Sequence, residues 1–207
     1  RPGTLRSTVS RSTKRLTKAG ATIGVVETSG DDPDAQRRAR QALDDLHRLH
    51  DQRWADESGF LEAWPRFHAA AMAGLASGDV VIAQVVAEDG TVVATELDLR
   101  LGTTVAFYQA GRSTQRQWRG AGSALRADII GRAAADGATE YDLLRGDESY
   151  KADWATGSRE LVRVRLGAGG TGRALHRAGA LWRRAQPELH SALQSVRARS
   201  GRLLSRP

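Results

Sequence analysis

Apolar residues in this chain recur at two spacings, and the spacing changes from segment to segment. Residues 3–19 place Leu5, Val9 and Leu16 as sparse apolar points of a helix, with Gly20 as its stop. Ala21–Thr28 is short and β-branched, a strand ended by Ser29-Gly30. From Asp34 to about Asp56, Ala39, Leu43, Leu46, Leu49 or His50, and Trp54 recur at three to four, an amphipathic helix broken at Ser58-Gly59. A second helix follows over about 62–76, with Pro65 in its first turn and Gly78 after its end. Val80–Glu88 and Thr91–Leu101 then flank Asp89-Gly90, a strong two-residue hairpin signal, and Gly102 leads into a third strand, Thr103–Ala110.

After Gly120 the helical period returns, with Ala124, Leu125, Ile129 and Ala133 on one face and a stop at Gly137. Residues 139–145 read as a strand, 150–155 as a short helix, and Arg159–Leu166 as a half-exposed alternating strand. A glycine-rich break at 167–172 precedes a long last helix. The order predicts a mixed α/β domain whose centre is a three-strand antiparallel meander. The strand at 139–145 follows a crossover helix, so it should run parallel to the strand at 103–110.

Composition narrows the function classes. The 207 residues suit one domain with appendages, and the absence of cysteine removes disulfides and thiolate metal sites. His47 and His50 are three apart on one helix face, but no third ligand is near, so no metal is expected. No apolar run approaches the roughly 20 residues of a membrane span, and no signal peptide is visible. A cytoplasmic location follows as an expectation. The chain opens Arg1-Pro2-Gly3 without Met, which reads as a fragment.

The net charge of +7 belongs to the ends. Residues 1–20 hold six Lys or Arg and no acid, and residues 168–207 hold eight Arg against Glu188 alone, whereas residues 21–167 sum to −6. Such ends suit nucleic acid, acidic lipid or an acidic neighbouring domain, or are plain solvated helix faces. The last helix spaces Leu175, Ala178, Trp182, Leu189, Leu193 and Val196 helically, a stripe suited to packing on a partner domain, with a membrane-surface helix as the alternative.

The chemistry concentrates between Tyr108 and Trp154. Gln117-x-x-Gly120-x-Gly122 lies between a strand and a helix, where free backbone amides and the positive helix end can meet a phosphate. Arg116 and Arg119 add fixed charge, and Trp118 could pack on a cofactor. Gln117, Trp118, Arg119, Gly120, Ala121, Gly122 and Ser123 are therefore the candidate cofactor-binding set. A dinucleotide-binding fold is excluded by the glycine pattern and by the lack of repeating βαβ units.

The element order and this turn resemble the GNAT acyltransferase superfamily, whose turn binds the pyrophosphate of acyl-CoA. More narrowly, Tyr141-Asp142-Leu143-Leu144-Arg145-Gly146-Asp147-Glu148-Ser149-Tyr150-Lys151 is similar to bacterial acetyltransferases first described as cellulose-biosynthesis proteins. These are relatives of the Fem-type peptidoglycan aminoacyltransferases. LRSTVSRSTKRLTKAGATIGVVET and LDDLHRLHDQRW fit the same subfamily, so the resemblance spans about residues 4–166. It implies a GNAT fold over 1–167, the second half of a two-GNAT protein, with a basic amphipathic helix over 168–207. It implies acetyl-CoA as co-substrate and an amine or hydroxyl acceptor, either a small molecule or a cell-envelope precursor. An aminoacyl-tRNA donor is the alternative, less favoured because the glycine turn is intact; a degenerate, non-catalytic GNAT module is the other.

The resemblance sets three needs. The pantetheine arm should lie where the strands at 103–110 and 139–145 splay apart. A base must take the acceptor's proton, and a donor must stabilise the oxyanion. Lys151, one of three lysines, is the candidate oxyanion donor, or an ordinary surface lysine. Glu148, then Asp147, are candidate bases, or helix caps. Tyr150 is a candidate acid toward the leaving thiolate, or a packed ring. Asp142 points into the cleft or bonds the backbone. Tyr108 and Gln109 are neighbours in a strand, so alternation allows only one to line the cleft.

Overall fold

The computed structural model describes residues 2–28, 32–54, 59–162, 164, 170 and 179. Helix α1 (Pro2–Lys18) leads into β1 (Thr22–Val25). Helix α2 (Pro33–Trp54) starts with Pro33 in its first turn, where Asp32 accepts the amides of Asp34 and Ala35, each at 3.2 Å. The helix expected over 62–76 is instead a short α3 (Gly59–Glu62) and a separate α4 (Trp64–Ser77), closed by Gly78 at φ 81. Strands β2 (Val80–Val86), β3 (Val92–Leu101) and β4 (Thr104–Arg112) form the expected meander. The β2–β3 turn has Gly90 at φ 84, and Asp89 accepts the Thr91 amide at 2.9 Å.

A single 3-10 turn (Arg116–Trp118) precedes α5 (Ala121–Ala135), and β5 (Glu140–Asp142) and α6 (Lys151–Trp154) follow. The sheet order is β1-β2-β3-β4-β5, antiparallel except for β4–β5. The parallel pairing expected from the crossover helix is present, but β5 is three residues long rather than seven. No strand forms over the described part of 159–166; Leu161, Val162 and Val164 are more than two-thirds exposed there, so the alternation has no apolar face to cover. The glycine-rich break and the last helix fall almost wholly outside the described residues. The chain divides into two compact units, Arg1–Ser158 and Arg159–Pro207, and β1 to β5 and α1 to α6 all belong to the first.

Strand alternation sends side chains to two separate cores. On one face Leu16 of α1 meets Ala83, Val85 and Ala94 of the sheet and Ala121, Ala124, Leu125 and Ile129 of α5. On the other, Leu43 and Leu46 of α2 and Leu75 of α4 meet Ile82 and Leu97. The result is a mixed five-strand sheet flanked by helices. No helix among the described residues is long and apolar enough to cross a membrane.

Gly111 sets how closely α2 approaches the open end of β4. A Cβ there would sit 2.7 Å from Leu49 Cβ and 3.0 Å from the His50 amide nitrogen. Gly111→Ala should therefore cost about 1–3 kcal/mol of stability, an overpacking penalty read by urea unfolding. A variant as stable as the wild type would show that α2 can withdraw freely.

Candidate active site

Beyond its three residues of pairing with β5, β4 runs on paired with β3 alone. The register ends at Ala106 opposite Asp142, and β4 continues to Arg112. The strands part as the family resemblance implies, and a cleft of about 1670 Å³ opens between Phe107–Arg112 on one side and Leu143–Arg145 on the other. Its far end reaches the start of α5 and one face of α1.

Tyr108 is an extra residue in β4, because Leu97 pairs with Gln109 while Asp98 pairs with Phe107. This bulge breaks the two-residue alternation, so Tyr108 and Gln109 both line the cleft, against the sequence expectation of one. Tyr108 stacks on Phe67 of α4 at 5.5 Å, and the Gln109 side-chain oxygen accepts the Ala110 amide at 2.9 Å.

At the glycine turn, Gly120 precedes α5 at φ 87, and a Cβ there would overlap Ser12 Oγ of α1. Only glycine meets both demands. The first intrahelical bond runs from the Ala124 amide to the Gly120 carbonyl at 3.0 Å. The amides of Ala121, Gly122 and Ser123 precede it, and no side chain at the N-cap satisfies them. Arg116, Arg119, Gly120, Gly122 and Ser123 line the cleft. Three others of the candidate set do not. Gln117 turns to Gln115, bonding its side-chain oxygen at 3.0 Å; Trp118 packs against the α5-side core; Ala121 is buried in that core. Trp118 thus braces the turn from behind.

Among the described residues, nine basic side chains line the cleft against two carboxylates, Glu96 and Glu148. Both carboxylates are already paired, with Arg126 at 2.9 Å and Lys151 at 2.8 Å. Arg15, Arg112, Arg116 and Arg119 have no carboxylate partner among the described residues. The donor set of free amides and unpaired guanidiniums fits a diphosphate.

The loop after β5 brings together most of the remaining candidates. Asp142 accepts the Leu144 amide at 2.7 Å through Oδ1, holding Leu144 at φ 58. That oxygen serves the backbone, and Asp142 is not on the cleft wall. Lys151 Nζ donates to the Arg145 carbonyl at 2.7 Å and to Glu148. The Lys151 bond holds the Glu148 carboxyl below its ordinary range. Gly146 sits at φ 115, and a Cβ there would displace the Glu148 carboxylate. Glu148, Tyr150 and Lys151 line the cleft, whereas Asp147 is exposed and off it. Of the histidines suggested as a metal pair, His47 packs edge-on to Trp64 at 4.7 Å and His50 to Phe60 at 4.9 Å.

Sequence reading missed the most buried charges. Glu96 and Asp98 of β3 are 1% and 0% exposed, and both meet the Tyr141 hydroxyl of β5, at 2.7 and 2.8 Å. Arg126 of α5 grips Glu96 through Nε and Nη2 at 3.3 and 2.9 Å, and its guanidinium lies 4.0 Å over Phe107. One hydroxyl hydrogen cannot serve two carboxylates, so one carboxyl carries a proton. Arg126 holds the negative charge on Glu96, so the proton sits on Asp98. Burial, then the Glu96 charge, push Asp98 up to about 8. Tyr141 is pushed well above its ordinary value by burial and the two carboxyls. Burial works against the Arg126 charge, but Glu96 together with Tyr141 and Tyr150 offsets it and raises its pKa. The alternation Thr95/Leu97 against Glu96/Asp98 was visible in the sequence, but it reads as polar residues facing water.

A family model described as acetyltransferase (GNAT) domain matches residues 3–152. The chain belongs to the GNAT acetyltransferase family. Two solved structures share this GNAT fold over most of the chain. An aminoglycoside acetyltransferase from an uncultured soil metagenomic sample, solved with sisomicin, is 12% identical with TM-score 0.52, covering 74% of this chain and 99% of its own. A Pyrococcus furiosus protein assigned as an acetyl transferase is 16% identical with TM-score 0.50, covering 70% and 99%. A search of curated proteins returned no match. GNAT acetyltransferases take an acyl group from acyl-CoA, and the cleft's anion-binding end suits that co-substrate.

The Asp98 proton has a measurable consequence. The folded state holds it up to about pH 8, while an unperturbed aspartate releases it near 3.8. The folded state then binds the extra proton across that window, so this contribution to stability is full below the lower value and falls as pH rises through the upper one. Asp98→Asn still donates to Tyr141 but cannot titrate. Urea unfolding of this GNAT chain should lose stability between about pH 4 and 8 more steeply in the wild type than in Asp98→Asn. Equal slopes would place the proton elsewhere.

Proposed function

We propose that this chain transfers an acetyl group from acetyl-CoA to an amine or hydroxyl acceptor. One observation carries the reading: a single cleft runs from the parted edges of β4 and β5 to the uncapped first turn of α5. The parted edges offer backbone along the length of an extended arm, and the turn offers amides and arginines to its diphosphate. Acyl-CoA supplies a thioester whose acyl carbon is open to attack. The 141–151 segment supports the narrower placement with the cellulose-biosynthesis-type acetyltransferases.

For the acceptor's proton, the two cleft carboxylates differ in basicity. Lys151 holds Glu148 low, whereas burial raises Glu96 against the opposing pull of Arg126 and Tyr141. The Glu96–Tyr141–Asp98 chain is therefore the better proton acceptor. Tyr150, on the cleft wall within 5.4 Å of the Arg126 guanidinium, is the group we assign to protonate the leaving sulfur. Lys151 ties the post-β5 loop through Glu148 and the Arg145 carbonyl, and acts by positioning that loop.

Isothermal titration with acetyl-CoA tests the donor. Gly122→Val should fold, since its Cβ would lie 3.6 Å from Arg112 Cδ, an ordinary contact. Its branched side chain fills the space before the free amides, so binding should weaken by about tenfold or more. A folded wild type that binds no acetyl-CoA would sink the reading. Thiol release from acetyl-CoA, with a panel of amines and sugars present, reads the transfer. Glu96→Gln should slow it by about 100-fold or more while acetyl-CoA still binds, and Glu148→Gln by less than about tenfold. The reverse ranking would move the base to Glu148.

A further inference from the structure

The basic face of α1 lies outside the strand–turn–helix unit that suits a diphosphate, yet it forms part of the same cleft. Thr8, Arg11, Ser12 and Arg15 stand at i, i+3, i+4 and i+7, one helix face, and all four line the cleft. α1 is anchored there. Leu16 is buried in the core and Ser12 lies against Gly120. Arg15 Nη2 donates to the Arg119 carbonyl oxygen, which leaves most of its five donors for other partners. Arg11 bonds only within its own helix, to the Ser7 carbonyl at 3.3 Å and the Thr8 hydroxyl at 3.4 Å. Neither arginine has a carboxylate partner among the described residues.

Two cationic groups therefore meet at one end of the cleft, on two different elements. Arg116, Arg119 and the free α5 amides form the first, and a diphosphate uses it up. Arg11 and Arg15 form the second, which suits a separate anion on the same ligand. Acyl-CoA carries such an anion, the phosphate monoester on its ribose, with a charge near −2 at neutral pH. We propose that Arg11 and Arg15 of α1 bind the ribose phosphate monoester of acyl-CoA. The basic start of the chain then selects the donor, a use distinct from nucleic-acid or lipid contact. The inference rests on acyl-CoA being the donor.

Titration calorimetry with CoA and with 3′-dephospho-CoA tests it. The wild type should bind CoA about tenfold more tightly than dephospho-CoA. Arg11→Ala breaks bonds only inside α1, so the fold should persist, with an unchanged melting temperature as the check. It should weaken CoA about five- to tenfold and leave dephospho-CoA within about twofold. Arg15→Ala should act in the same direction, with some loss on both ligands through the Arg119 carbonyl. Equal affinity of the wild type for the two ligands, or equal losses on both in Arg11→Ala, would overturn the inference and leave the acyl-CoA reading standing. No CoA binding by the folded wild type would overturn both.

Discussion

One hydroxyl hydrogen on Tyr141, set between two buried carboxyls, ties the parts of the site together. Glu96 and Asp98 come from β3, Tyr141 from β5 and Arg126 from α5. These elements meet at the root of the cleft, where β4 and β5 are still paired. A buried carboxylate without partners would be costly, so the three strands and the helix must stay in register for the charges to be tolerated. The same network puts Arg126 against Phe107 and near Tyr150, so the ionic cluster also builds the cleft wall.

Above that root the sheet has to open, and two local devices accompany the opening. The bulge at Tyr108 adds a residue to β4 where its partner β5 ends. Asp142 takes the Leu144 amide and holds Leu144 in the left-handed region, which ends β5 and directs the loop away. The short strand is thus part of the site's design: a longer β5 would zip the cleft closed. Gly111 lets α2 press closely on the end of β4 that β5 leaves open, where β3 is the one remaining strand neighbour.

Charge is arranged along the cleft in a similar division. Both acids on its wall are neutralised by a local cation, so the arginines of the turn and of α1 dominate the open end. That excess of positive charge along the cleft favours entry of an anionic ligand. The family's fold provides the turn; α1, packed on α5 through Ser12 and Leu16, extends the positive wall beyond it.

The sequence by itself carried the central elements and the turn, though not the length of β5, the break between α3 and α4 or the absence of a strand over the described part of 159–166. The Asp89-Gly90 hairpin, the meander, the crossover helix and the Gly120 turn are local or nearly local signals, fixed by backbone sterics and by period, and they appear where the pattern put them. The parallel pairing of β5 with β4 was legible for the same reason, since the crossover helix constrains it, whereas the parting of the two strands came only from the family resemblance. What the tertiary structure decided is which polar residues turn inward. Glu96 and Asp98 read as the wet face of a strand until α5 covers them, and their partners Arg126 and Tyr141 lie 30 and 43 residues away. Trp118 read as a cofactor contact and faces the core, because the turn's orientation is set by packing on α1 and α5. The basic start of the chain read as a surface for nucleic acid, acidic lipid or a neighbouring domain, or as a solvated helix face, and folding sets one of its faces along the cleft. Period and composition fix what a residue's own neighbours demand. Burial and charge pairing depend on distant segments, and only their assembly determines them.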